Sequence, residues 1–343
     1  MPVLRRNRGG EVDAPVRDAR MNAAGGAAFS APPGAVKTTP ANILWRGGTE
    51  QDPRAGLRRG VFQICAHPGC ASGWLHLWRH RSVPVFEGGW SCSPECTRAL
   101  MEAAVRREMD GRGSRPAVHP HRVPLGLVML EQGWITQGQL RQALDAQRAA
   151  GGGRIGHWLM RRHGVPEERV TRALGLQWSC PVLPLEIHDA EGLTVLLPRL
   201  FVDAFGVLPL RVAAAKILYL GFEDRLDPAL ALAAERMTGL RVESGMVRES
   251  SFRPAHERML QAKFPSVELV EAVSAPALAQ AFARAVERTR PVASRLARVH
   301  DCLWLRMWLR PQDGPLPETG AIADMIGSIG FSERGAVQDR LKS

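Results

Sequence analysis

Four cysteines in two close pairs are the first residues with chemistry to offer. Four residues separate Cys65 from Cys70, three separate Cys92 from Cys96, and twenty-one lie between the pairs. Thiolates from two short loops suit the tetrahedral coordination that zinc takes in structural sites. With sulfur in all four positions there is no place for a reactive water, so the zinc would be structural rather than catalytic. Ser93 suits an N-cap and Pro94 the first turn of a following helix, whose N-terminus favours thiolate over thiol. Reduced, metal-free cysteines and disulfides are the alternatives, and the lack of a secretory signal argues against disulfides. His67, His76 and His80 are spare donors, while Cys180 and Cys302 stand alone.

An internal repeat is the second pattern. Residues 124–147 align with 154–177 at an offset of thirty, with Gly126 on Gly156, Ala143 on Ala173, Leu144 on Leu174 and Gln147 on Gln177. Leu125/Ile155, Met129/Leu159, Leu130/Met160, Ile135/Val165 and Leu140/Val170 are conservative pairs. Each unit reads as helix, turn, helix. Pro124 suits a helix start and Gly133 a stop. Thr136 caps the next helix with Gln139 as capping-box partner, and Pro166 opens the last.

Each unit approximates R-L-G-x-x-(apolar)-(apolar)-x-x-G, followed by spaced leucines and a closing Gln. Over residues 122–263 the chain resembles the MshEN-type domain, the N-terminal domain of type II secretion and type IV pilus assembly ATPases. The zinc unit, with its hairpin across residues 74–90, resembles a treble-clef finger. The MshEN resemblance implies binding of cyclic di-GMP, one tandem motif pair per ligand. In that reading Gly126, Gly133 and Gly156 allow close turns and backbone approach. Leu125, Met129, Leu130, Leu140 and Leu144 form an apolar bed for one half of the ligand. Ile155, Leu159, Met160, Val170 and Leu174 do so for the other half. Arg154 forks to guanine acceptors or a phosphate, and Gln147 and Gln177 offer donor and acceptor together. The same apolar spacing also builds an ordinary helical core. The sequence departs from the pattern where Pro124 occupies the arginine position and where His163 replaces a glycine, with Gly164 following. Arg122 is near Pro124 but out of register.

The elements that must hold these residues belong to a chain of 343 residues, long enough for two or three domains. With 45% hydrophobic and 23% charged residues, a wholly disordered chain is excluded. No run approaches the ~18 apolar residues of a membrane span, and no apolar stretch follows the basic start, so a cytoplasmic protein is expected. The net charge of +11, almost all from arginine, would attract phosphates, nucleic acid or anionic lipid. An α+β multidomain fold is expected. Residues 1–60 read as a disordered basic arm, with Met21 as an alternative start, and residues 61–112 as the zinc unit. Residues 122–264 read as the MshEN-like domain, divided into a helical repeat over 122–178 and an α+β half over 182–264. Residues 265–343 read as a C-terminal α/β segment, with a helix over 276–288, a hairpin turning at His300-Asp301 and a short helix over 321–330.

No G-x-x-x-x-G-K-[ST], G-x-S-x-G or H-E-x-x-H motif occurs. The single G-x-G-x-x-G, at Gly151, Gly153 and Gly156, follows a helix rather than a strand and fails the dinucleotide-binding context. The chain is therefore expected to be no enzyme but a cyclic di-GMP receptor or adaptor lacking the ATPase motor. Secretion or pilus machinery would be its protein partner. A nucleic-acid-binding zinc protein, with the basic arm and Arg79 and Arg81 on phosphates, and a structural adaptor with a degenerate site are the alternatives.

Overall fold

The structure, a computed structural model, describes residues 65–70, 83–111, 122–185, 190–312, 314 and 316–330. It is a mixed α+β architecture. The expected arm, residues 112–121 and the stretch holding Trp74, His76, Trp78 and His80 lie outside the described residues.

Strands β1 (Val85–Phe86) and β2 (Gly89–Trp90) form a hairpin. Its turn has positive φ at both Glu87 and Gly88, the backbone that matches hairpin twist. Helix α1 (Pro94–Asp110) starts as its sequence dictates: Ser93 is the N-cap, and its hydroxyl accepts from the Cys96 amide at 3.3 Å.

Four helices follow: α2 (Leu125–Glu131), α3 (Gln137–Ala149), α4 (Ile155–His163) and α5 (Glu167–Trp178). Thr136 and Gln139 make the expected capping box on α3. Gly133 turns the chain after α2 at φ 67°, whereas after α4 the left-handed residue is Gly164 at φ 62°. The turn has moved one residue along, so His163 completes a longer helix instead of making the turn.

Next come α6 (Ala190–Leu193), α7 (Arg199–Phe205), β3 (Val207–Ala213), β4 (Ile217–Phe222), α8 (Pro228–Thr238), β5 (Arg241–Met246) and α9 (Glu249–Gln261). The sheet order is β3-β4-β5, with β3 antiparallel to β4 and β4 parallel to β5 through α8. Asp227 caps α8 through the Leu230 amide, and Gly239 ends it.

The last part holds β6 (Val267–Ala272), α10 (Ala275–Thr289), β7 (Ala293–Val299), β8 (Cys302–Trp308) and β9 (Ile322–Ile329), in sheet order β6-β9-β8-β7. The β7–β8 hairpin turns at His300-Asp301 as expected. The expected helix over 321–330 is instead strand β9, and β6 was not anticipated. Ile322, Met325, Ile326 and Ile329 have helical spacing, but β9 lies between β6 and β8 and is buried on both faces. A strand covered on both sides loses the alternation that would announce it.

Alternate residues of β8 point to different cores. Trp304 and Trp308 join a core that runs from Leu193 through Phe222 and Met259 to Ile326. Leu303, Leu305 and Met307 join a second core with Leu278, Phe282 and Val286 of α10 and Met101 and Val105 of α1. Helix α1 therefore packs on α10, over the C-terminal sheet. Among the described residues, no helix is long and apolar enough to cross a membrane.

Candidate functional site

The cysteine quartet is assembled by two short elements. Between Cys65 and Cys70 the chain turns with the Cys70 amide on the His67 carbonyl at 3.0 Å, while the Ala66 amide reaches Trp90 at 2.8 Å. Gly89 is obligatory there, since a Cβ would lie 2.4 Å from that of Ala66. The sulfurs of Cys65, Cys70, Cys92 and Cys96 all lie within 4.8 Å of one another. Cys70–Cys92 and Cys92–Cys96 are 3.5 and 3.6 Å apart. A tetrahedron of sulfurs about 2.3 Å from zinc has edges of about 3.8 Å, so the donor set fits that ion. Burial pushes the Cys96 thiol up to about 12 and raises that of Cys65. A bound dication would supply the positive charge that ionises them.

The β1–β2 hairpin that leads into the second pair is tied to the C-terminal sheet. The Val85 amide donates to Pro291 at 3.1 Å, the Glu87 amide to Ser294 at 2.8 Å, and the Ser294 hydroxyl to Val85 at 2.8 Å.

In the helical repeat, each unit makes the same internal contact between its two helices. A Cβ on Gly126 would fall 2.5 Å from Leu140, and one on Gly156 would fall 2.7 Å from Val170. These two contacts are related by the offset of thirty residues. So are two side-chain bonds: Gln147 donates to the Gly153 carbonyl, and Gln177 donates to the Val123 carbonyl at 2.7 Å. Each unit's closing glutamine thus grips the backbone just ahead of the other unit's first helix.

Burial divides the remaining expected site residues. Met129, Leu159 and Val170 are buried in the repeat's own core. Leu125, Leu130, Leu140, Leu144, Ile155, Met160 and Leu174 are half-buried, and Gly133 is an exposed turn residue.

Arg154 is exposed at the N-cap position of α4, and its guanidinium is already engaged. It pairs with Glu223, with Asp224 at 3.2 Å and with Glu249 at 4.0 Å. Arg253 shares two of these carboxylates, Glu223 at 3.2 Å and Glu249 at 2.5 Å. A second tie runs from Glu167 to the Ser250 amide and hydroxyl at 2.8 and 2.6 Å. The β4–α8 loop and the start of α9 therefore meet the second repeat unit. Sequence reasoning missed Glu223, Asp224 and Glu249, because no local pattern links them to a motif about seventy to ninety-five positions earlier.

No family model matches the chain. The type IV pilus assembly ATPase PilB of Myxococcus xanthus (strain DK1622) is 28% identical over 148 residues, which is 42% of this chain and 25% of that protein. The chain carries an MshEN-type domain. It spans about a quarter of the length of the pilus ATPase that it matches. Two solved structures are similar to part of the chain. One is MshE with cdg, at 26% identity and TM-score 0.32, covering 40% of this chain and 99% of that one. The other is the N-terminal domain of XpsE, at 20% identity and TM-score 0.27, covering 39% and 92%. Arg154 belongs to the tandem repeat, and the carboxylates that hold it come from the α+β elements that follow.

Proposed function

We propose that this chain is a cyclic di-GMP receptor or adaptor, with residues 122–264 as the ligand-binding domain and residues 61–112 as a structural zinc unit. It works in the cytoplasm beside secretion or pilus machinery, without an ATPase motor or catalysis of its own. The observation that carries the reading is the pseudo-two-fold repeat, whose matched glycine and glutamine contacts give a nearly two-fold ligand two similar half-sites. Leu125, Leu130, Leu140 and Leu144 bed one half of the ligand, and Ile155, Met160 and Leu174 the other. Met129, Leu159 and Val170 support them from beneath. Gly126 and Gly156 let Leu140 and Val170 close onto the first helix of each unit, Gly133 makes the turn after α2, and Gln147 and Gln177 hold the units in register and offer their carbonyl oxygens. Arg154 supplies the guanidinium of the second half-site. Ligand bound there acts on Glu223, Asp224 and Glu249, and so on the α+β half that faces a partner.

Calorimetric titration of cyclic di-GMP into the full chain tests this. Binding at micromolar ligand, weakened roughly tenfold or more by Arg154→Ala, is expected. No heat at millimolar ligand would leave the repeat as a scaffold. In that case, capture of an assembly ATPase regardless of nucleotide would favour the structural adaptor. Steeply salt-dependent binding to DNA would favour the nucleic-acid reading.

A further inference from the structure

The first repeat unit has Pro124 where the second has Arg154, yet a guanidinium stands close by in another position. Arg122 lies flat over the indole of Trp178, the last residue of α5, with its guanidinium carbon 2.9 Å from the ring centroid. One of its terminal nitrogens is buried and finds no hydrogen-bond partner among the described residues. A buried donor left unsatisfied is costly, and in a native protein it calls for a missing partner. The Trp178 Nε1 donates to the Asp224 carbonyl at 3.0 Å, which brings the β4–α8 loop, and Arg225 with it, to the edge of the same ring.

The charges around this ring are unbalanced. Every acid of the loop is taken. Glu223 and Asp224 hold Arg154, and Asp227 caps α8 while accepting from the His300 imidazole at 2.6 Å. Neither Arg122 nor Arg225 makes a close ion pair with a described carboxylate, although the charge of Arg225 helps to hold the Asp227 carboxyl low. Burial first, and the charge of Arg225 second, lower the proton affinity of Arg122. Two guanidiniums, one seated on an indole with a bare donor and one exposed beside it, have the donor set of a phosphate site. We propose that Arg122 and Arg225, over Trp178, bind a phosphate group. In this role Arg122 replaces the arginine that the first repeat unit lacks. Only the source of the phosphate, cyclic di-GMP or free phosphate, rests on the proposed function.

The experiment uses the full chain with ¹⁵N-labelled tryptophan, following the Trp178 indole N–H, assigned with Trp178→Phe. Sodium phosphate is titrated against sodium chloride at equal ionic strength, and cyclic di-GMP is titrated separately. Phosphate, and not chloride, is expected to move the Trp178 signal. Arg122→Gln and the exposed Arg225→Gln should each weaken that response roughly tenfold, with Arg122→Lys falling between. A Trp178 signal indifferent to phosphate, or equal phosphate affinity in Arg225→Gln and the parent, overturns the site. If cyclic di-GMP also loses affinity in both variants, the dinucleotide is the source. If only inorganic phosphate does, the site stands with free phosphate as its ligand. Failure of cyclic di-GMP to bind the parent chain defeats the proposed function alone, since the phosphate titration still decides the site.

Discussion

At the scale of single residues, the two repeat glycines carry the same geometric demand with different tolerances. A Cβ at Gly126 would meet the tip of Leu140, which is flexible, whereas one at Gly156 would meet Cγ1 of Val170 at 2.7 Å and Leu125 at 3.4 Å. A β-branched valine has little χ1 freedom with which to retreat. Alanine gains up to about 1 kcal/mol over glycine inside a helix, and overpacking costs about 1–3 kcal/mol. Gly126→Ala should therefore be close to neutral, and Gly156→Ala should destabilise by about 1–2 kcal/mol. Urea unfolding of the two variants measures this. Equal midpoints would mean that the second unit repacks as easily as the first.

At the scale of elements, much was legible in the sequence. The caps at Ser93, Thr136 and Asp227, and the stop at Gly239, fix helix ends through local hydrogen bonds that a short motif encodes completely. The four cysteines were legible for the same reason, as two local loops. Strand β9 was not, because one of its faces is covered by α10 and the other by the core that begins at Leu193, both brought in by tertiary contact. Gly327 records that crowding: a Cβ there would lie 2.4 Å from Leu278. The carboxylates at Arg154 and the indole under Arg122 were equally hidden, being brought in by tertiary contact. One element-scale consequence concerns the metal. The β1–β2 hairpin is tied by its ends, to the cysteine quartet on one side and to Pro291 and Ser294 on the other, and α1 grows directly from Cys96 onto α10. Removing the proposed zinc with a chelator should loosen α1 and the α10 face it covers. Amide exchange there should accelerate at least tenfold, about 1.4 kcal/mol, while α2 to α5 keep their protection. Unchanged exchange in α1 and α10 would mean that the quartet is not what anchors this helix.

At the scale of the whole molecule, one buried ion pair joins parts that lie far apart in sequence. Arg306 on β8 and Asp324 on β9 are 1% and 3% exposed. Both carboxylate oxygens of Asp324 accept from the guanidinium at 2.8 Å, and Oδ1 also accepts from the Trp304 indole at 2.8 Å. The remaining arm of Arg306 reaches back to the Leu196 carbonyl at 3.1 Å, ahead of α7. Taking two charges out of water costs about as much as their attraction returns, so such a pair adds little net stability. Removing one member strands the other, at about 3–5 kcal/mol. That is a large part of the roughly 5–15 kcal/mol that holds a domain folded. Because the core around Trp304 is continuous from Leu193 to Ile326, the cost should not stay within the C-terminal sheet. Asp324→Ala is expected to lower the urea midpoint of β3–β5 and of β6–β9 together, in one transition, as followed by amide exchange in each sheet. If β6–β9 lost protection while β3–β5 kept that of the parent chain, the two sheets would fold as separate units. The Leu196 bond would then be a contact between neighbours and not a brace through a common core.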